Sequence, residues 1–396
     1  MRRKEVSLMF TLSLEERDRR WKMVRKTMEE RGIDCLIVFG INGFNRNLAA
    51  NLRYLSNVVV TEGYFVFPLQ REPTLITFFG RLDTPWVTDA RAGHPSYSKV
   101  ISDRLRELGL EGATIGIVGL SGFFGELGFP HTTFTSLAGN FPKANLKDAT
   151  DIVEEARRMK SAVEIRCFEL GCEAGEKAIQ AAVDTAKVGV RDREVQAEIM
   201  DTLFRNYCDP GSMLLYCSGK EVSHAGQGHD NPDLGPRPLE QGDVILTEFD
   251  ARFLGYIAQF NQPFSVGEPN LEWRKILSVA LEAFDNGLNT LRPGITVGEL
   301  DQAVLSTIKG AGYVHRNPAF HGLGLSLEGP IGSFPVQSPY KPFTSLRFQA
   351  GMVLEIEPHV VTPDGKKGLT IGCPILVTET GCRILSKNWK PGFKIV

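Results

Sequence analysis

The residues of this 396-residue chain that are best suited to chemistry lie in its C-terminal half. Val244-Ile245-Leu246-Thr247-Glu248-Phe249 reads as a strand, and period-two alternation puts Glu248 and Asp250 on one face of it. Val353-Leu354-Glu355-Ile356-Glu357 repeats the pattern, with Glu355 and Glu357 sharing a face. A buried carboxylate without a partner is costly, so acids in such apolar strands are expected to be partnered and functional. Histidines stand close by in sequence. His321 opens the Gly-rich turn His321-Gly322-Leu323-Gly324-Leu325, and His224 and His229 lie in the loop Ser223-His224-Ala225-Gly226-Gln227-Gly228-His229-Asp230-Asn231-Pro232. Hydrolysis without a metal needs a base to activate water and an acid for the leaving group, and histidine serves as either near neutral pH. A lone loop histidine is more often a solvated surface group, and His315 and His359 are read in that ordinary way.

The elements that position these residues are read from periodicity. A strand over 255–264 follows the first acidic strand, and strands over 352–358 and 374–378 come later, with helices over 272–291 and 297–310 between. Residues 149–187 contain almost no turn formers and read as two helices or one long kinked one, followed by a helix over 194–206. Gly226, Gly228, Pro232 and Gly235 make 213–243 read as loop. Upstream, a helix over 14–32 carries Trp21, Val24 and Met28 at helical spacing. Short apolar strands are expected at 35–39, 58–60, 64–67, 73–78 and 114–118, with an amphipathic helix at 97–108. This alternation predicts an α/β domain with a mixed sheet over 1–148 and a second, α+β domain over 149–396.

Composition bounds the function. The formal net charge of −2 gives no bulk attraction to nucleic acid or to a membrane surface, which points to a small-molecule substrate. The N-terminus is basic, but no apolar segment of signal-peptide or membrane-spanning length follows, so a cytoplasmic location is expected. Seven cysteines, an odd number without CxxC spacing, are expected to be free thiols rather than a disulfide framework or a zinc knuckle.

Several phrases in order resemble the creatinase/prolidase/aminopeptidase P superfamily, the M24-like peptidases of pita-bread fold. They are Arg158-Met159-Lys160-Ser161 with Glu164-Ile165, Arg292-Pro293-Gly294-Ile295-Thr296 with Glu299-Leu300, His321-Gly322-Leu323-Gly324-Leu325, and Gly351-Met352-Val353-Leu354-Glu355-Ile356-Glu357-Pro358. Asn51-Leu52-Arg53-Tyr54-Leu55 resembles a phrase of the smaller N-terminal domain of creatinases and prolidases. The resemblance implies a creatinase N-terminal-like domain followed by a pita-bread catalytic domain, and a homodimer.

The metal enzymes of that superfamily use two Asp, one His and two Glu. Aligned on Gly255-Tyr256, their positions fall on Glu248, Gln259, His321, Glu357 and Gly372. Gln259 is a neutral, poor ligand and Gly372 has no side chain, so the resemblance implies that the dinuclear centre is dismantled, with no metal and no other cofactor. It is then closest to the metal-free branch, creatinase and ectoine hydrolase, and implies a metal-independent, non-peptidase hydrolase of a C–N bond in a small nitrogenous substrate. His229 would act as base or acid. Glu248 and Glu357 would hold the cationic part of the substrate, His321 would donate to the oxyanion, and Gln259 would orient the substrate. His224, Asp250, Glu328, Glu355 and Arg53 are candidate substrate contacts. Glu328 stands where peptidases often carry a second histidine, Glu355 replaces the usual Thr, and Arg53, with Asn45, Arg46 and Asn47, is placed to reach a partner subunit's cleft. Creatinase has a glutamate where this chain has Asn261, while ectoine hydrolase has a glutamate at the Glu248 position. The alternatives are a metal-dependent Xaa-Pro aminopeptidase or dipeptidase, a non-catalytic binding protein, and a lyase on the same fold.

Overall fold

A computed structural model describes residues 12–41, 49–80, 84–121, 128–209, 214–226, 236–333 and 345–396. The chain divides into two compact units, Met1–Arg157 and Arg158–Val396.

In the first unit, α1 (Leu14–Glu30) begins where the Ser13 hydroxyl accepts the Glu16 amide hydrogen at 3.3 Å. There follow β1 (Cys35–Ile41), α2 (Ala50–Ser56), β2 (Glu62–Pro68), β3 (Thr74–Thr77), β4 (Asp89–Ala92), α3 (Tyr97–Glu107), β5 (Thr114–Val118), α4 (His131–Asn140), β6 (Asn145–Asp148) and α5 (Thr150–Arg158). The strands form one sheet in the order β4-β3-β2-β1-β5-β6. It is mixed, as expected: β1 and β3 pair antiparallel with β2, while β1–β5, β3–β4 and β5–β6 are parallel. Alternate residues Cys35, Ile37 and Phe39 pack with Ile101 and Leu105 of α3 and Leu137 of α4. On α1, Trp21 meets Phe67 edge-on with ring centroids 5.7 Å apart. The strand expected at 58–60 does not form. Asn57 ends α2 in the left-handed conformation (φ 55°), the segment after it is irregular, and pairing starts only at Glu62.

The second unit opens with α6 (Ala162–Thr185), whose start is fixed by a reciprocal capping box between Ser161 and Glu164. Next come α7 (Asp192–Arg205), β7 (Leu214–Gly219), β8 (Val244–Phe253) and β9 (Tyr256–Ser265). A second helix pair follows, α8 (Leu271–Thr290) and α9 (Val297–Gly310). Then come β10 (Phe320–Leu323), β11 (Leu327–Ile331), β12 (Val353–Ile356), β13 (His359–Val361), β14 (Gly368–Thr370), β15 (Pro374–Val377), β16 (Cys382–Ile384) and β17 (Lys394–Ile395). Two helices followed by antiparallel strands thus occur twice. The sheets run β17-β9-β8-β7 and β11-β10-β12-β15-β16, with β13–β14 as a separate hairpin. Strand β7 falls within the segment read as loop. Its Leu-Leu-Tyr-Cys run pairs with β8, and the glycines and proline that dominated the reading all lie after it.

Two features bring the sheets together. Gly171 and Gly175 of α6 let the helix lie against the β8–β9 hairpin, since a Cβ on Gly171 would stand 2.8 Å from the Ala251 carbonyl oxygen. The sheets are then stitched by the Asn261 N–H to the Gly372 carbonyl (3.0 Å), the Gly372 N–H to the Asn261 carbonyl (3.1 Å) and the Ile257 N–H to the Gly324 carbonyl (2.9 Å).

Candidate metal centre

Strands β8 and β9 are joined by a two-residue turn, Leu254 (φ 49°) and Gly255 (φ 87°), both left-handed as tight hairpins require. That turn fixes the register: Glu248 faces Asn261 and Asp250 faces Gln259. Directly opposed residues share a face, so four polar side chains gather on one side of the hairpin. Asp250, Gln259 and Asn261 are all buried. From the other sheet, register places His321 of β10 opposite Glu355 of β12, and Glu357 follows β12 directly. The stitch through Asn261 and Gly372 brings the two groups together. Asn261 Nδ2 donates to Glu355 Oε1 and to Glu357 Oε2, each at 3.1 Å.

His321 Nε2 lies 3.4 Å from Glu357 Oε1, and its Nδ1 is 3.2 Å from the Gly322 carbonyl oxygen. Nδ1 therefore carries the hydrogen, and Nε2 presents its lone pair to the site. Burial pushes the His321 imidazolium down to about 4, so the ring is neutral. Gln259 Nε2 donates to Glu248 Oε1 at 2.9 Å. Burial, reinforced by the neighbouring Asp250, raises Glu248 to about 7. Burial also raises Asp250, against the opposing pull of Arg252 at 3.0 Å. Glu355 and Glu357 are held well above the ordinary carboxylate range, by burial first and then by repulsion from Glu248 and Glu355 respectively.

His321, Glu355 and Glu357 each offer a ligand atom, and these atoms lie within 4.8 Å of one another. Glu355 Oε2, Asp250 Oδ1 and Gln259 Oε1 are buried without a hydrogen-bond partner. Three buried acids, Asp250, Glu355 and Glu357, with half-buried Glu248 beside them and one neutral imidazole lone pair make a hard, oxygen-rich donor set that fits a divalent cation such as Mn, Co, Zn or Fe. The convergence at His321, Glu355 and Glu357 fits one ion.

The other candidates fall elsewhere. His224 is half-buried, with its ring centroid 5.8 Å from that of His359. His359 is buried and bonded through Nε2 to the Ser223 carbonyl at 2.6 Å. Glu328 forms a buried ion pair with Lys160. Arg53 lies on α2 of the first unit, half-buried. His229, Asn45, Arg46 and Asn47 are outside the described residues. The sequence reading missed Asn261 as the group that joins Glu355 to Glu357, and the signal lay in the hairpin register. Among the described residues, no helix is long and apolar enough to cross a membrane.

Comparison with known proteins adds to this geometry. The model of metallopeptidase family M24 matches residues 166–379, and that of the creatinase/prolidase N-terminal domain matches residues 20–159. The Xaa-Pro dipeptidase of Pyrococcus furiosus is 30% identical over 268 residues, covering 66% of this chain and 74% of that protein. The Xaa-Pro dipeptidase of Pyrococcus horikoshii is 30% identical over 253 residues, covering 62% and 68%. The solved prolidase of Pyrococcus horikoshii superposes with a TM-score of 0.75 at 22% identity, over 94% of this chain and 99% of that one. The Xaa-Pro dipeptidase structure of Bacillus anthracis gives 0.76 at 20% identity, over 96% and 100%. The fold is thus the pita-bread fold, preceded by a creatinase N-terminal domain.

These relatives overturn the expected metal-independent, creatinase-like hydrolase. The proteins matched at 30% identity are named Xaa-Pro dipeptidases, and neither the metal-free branch nor the exclusion of peptide substrates is supported. The expectation counted the carboxylates absent at Gln259 and Gly372. It took Asp250 and Glu355 as substrate contacts, whereas the fold buries them in the same acidic cluster as Glu248 and Glu357.

Proposed function

Because the chain belongs to metallopeptidase family M24, we propose that it is a metal-dependent hydrolase of short Xaa-Pro peptides that uses one divalent cation held by His321, Glu355 and Glu357. The observation that carries this reading is the convergence of those three buried donor groups with an open oxygen on Glu355. A divalent cation there supplies Lewis acidity toward a scissile carbonyl and toward water.

The chain's own residues do the rest. The Gly322 carbonyl fixes the His321 tautomer, so that Nε2 is always the free nitrogen. Asn261 holds one oxygen of each glutamate and leaves the other available. Glu248, raised to about 7 by its burial, is the group suited to hold a proton at neutral pH and release it to the leaving nitrogen. Gln259 keeps that carboxyl in place through its 2.9 Å bond. The seven free cysteines support a reducing, cytoplasmic setting, and the resemblance supports a homodimer, which light scattering checks.

The test is metal content together with hydrolysis. Protein stripped with chelator and reloaded with Mn, Co or Zn is expected to hold one ion per chain and to cleave Xaa-Pro dipeptides. Glu357→Gln is expected to lose the ion and to lower kcat/KM by about a hundredfold or more, the scale set by losing a metal ligand or its orienting group. A reloaded protein that holds no ion, or that leaves every Xaa-Pro dipeptide intact, overturns the reading.

A further inference from the structure

Gly372 offers no side-chain donor atom, yet it borders the Glu355 carboxylate. Its backbone is tied on both sides to Asn261, at 3.0 and 3.1 Å. A Cβ built on Gly372 would overlap Glu355 Oε1 and stand 2.9 Å from Glu355 Cδ and 3.0 Å from its Cγ. The Glu355 side chain therefore runs through the space that a side chain at 372 would fill. Backbone conformation does not call for glycine here, because Gly372 is outside the left-handed region that Gly351 and Gly365 occupy. What calls for it is the close approach of a carboxylate. That carboxylate is fully buried, anchored at Oε1 by Asn261 at 3.1 Å and open at Oε2. A polar atom held in this state without a partner is a ligand kept ready, since its desolvation is otherwise uncompensated.

We propose that Gly372 is a positioning residue for the cation: its missing side chain is what lets Glu355 reach across from β12 and stand beside His321 and Glu357 as a ligand. A side chain can occupy this space from position 355 or from position 372, but not from both. The site thus takes its acid from β12, the strand that Glu357 directly follows, rather than from the segment that leads into β15. The inference rests on the metal-dependent reading above.

The test is a two-residue cycle with two readouts, Mn2+ affinity by calorimetry and thermal unfolding of the metal-free protein. Gly372→Ala is expected to weaken Mn2+ binding by about tenfold or more, as displaced ligands and their supports do, and to lower the melting temperature. In a Glu355→Ala background the added methyl has room, so the same Gly372→Ala change is expected to alter neither readout. Unchanged affinity and melting in Gly372→Ala overturn the proposal, as does an equal loss with and without Glu355. If Gly372→Ala alone is insoluble, the double variant decides, and its insolubility too would overturn the steric account. Wild-type protein that takes up no Mn2+ sinks the metal-dependent reading, whereas wild-type binding with an indifferent Gly372→Ala sinks this inference alone.

Discussion

Asn261 holds Glu355 and Glu357 with a single amide nitrogen, so the spacing of two acids depends on one residue. Asn261→Leu keeps the branching at Cγ and removes both bonds. Groups that orient metal ligands typically contribute tenfold to a hundredfold in affinity, so Mn2+ binding is expected to weaken by about that factor while the protein still folds. Calorimetry checks it, and a wild-type dissociation constant would show that the acids hold their places unaided. Asn261→Asp should be the worse change in the metal-free protein, because it adds a like charge to acids already raised by burial and by mutual repulsion. Glu248, Asp250, Glu355 and Glu357 were legible in the sequence because period-two alternation is a local signal. His321 was legible from its Gly-rich turn. Asn261 and Gly372 were not, because their roles depend on register and on a bridge between strands more than a hundred residues apart. The same limit explains why Asp250 and Glu355 read as substrate contacts: counting acids at fixed positions does not show which acids reach the same space from another strand.

At the level of elements, the site depends on how closely α6 lies on the β8–β9 hairpin. Gly171→Ala would add intrinsic helix stability of up to about 1 kcal/mol. Its Cβ would, however, stand 2.8 Å from the Ala251 carbonyl oxygen and 2.9 Å from Ala258 Cβ. Both belong to paired strands that cannot move far, and overpacking of this kind costs about 1–3 kcal/mol, so the net change is destabilising. Gly139, on α4, has nothing within 4 Å of its would-be Cβ, and Gly139→Ala is expected to stabilise by about 0.5–1 kcal/mol. Urea unfolding of the two variants should give opposite signs. A stabilised Gly171→Ala would mean that the helix sits less tightly than these distances imply. The capping boxes at Ser161–Glu164 and Thr296–Glu299 fix the starts of α6 and α9; the helix expected over 297–310 matches α9, while the sequence of 149–187 fits two helices or one kinked one. Strand β7 was not legible, because its partner β8 lies beyond a long glycine-rich segment.

Across the whole molecule, the acids of the centre make metal-free stability depend on pH in a defined direction. Burial raises Glu248 from its ordinary 4.5 to about 7 and moves Glu355 and Glu357 the same way. A group whose pKa is higher in the folded chain favours folding while both states are protonated. That advantage is present below about 4.5 and is lost as pH rises through the folded value. The metal-free second unit is therefore expected to lose stability between pH 4.5 and 7, and Glu248→Gln should flatten part of that slope. A bound cation compensates the ionised acids and reverses the loss: at a hundred times its dissociation constant, a ligand adds about 2.7 kcal/mol to the state that binds it. The first unit has its own core around β1, β2 and β5, and among the described residues the three ligand groups all lie in the second unit. Hydrogen exchange with and without Mn2+ at neutral pH should accordingly show added protection in β8, β9, β10 and β12 and none in β1, β2 or β5. Protection spread equally over both units would mean that the cation acts elsewhere than at His321, Glu355 and Glu357.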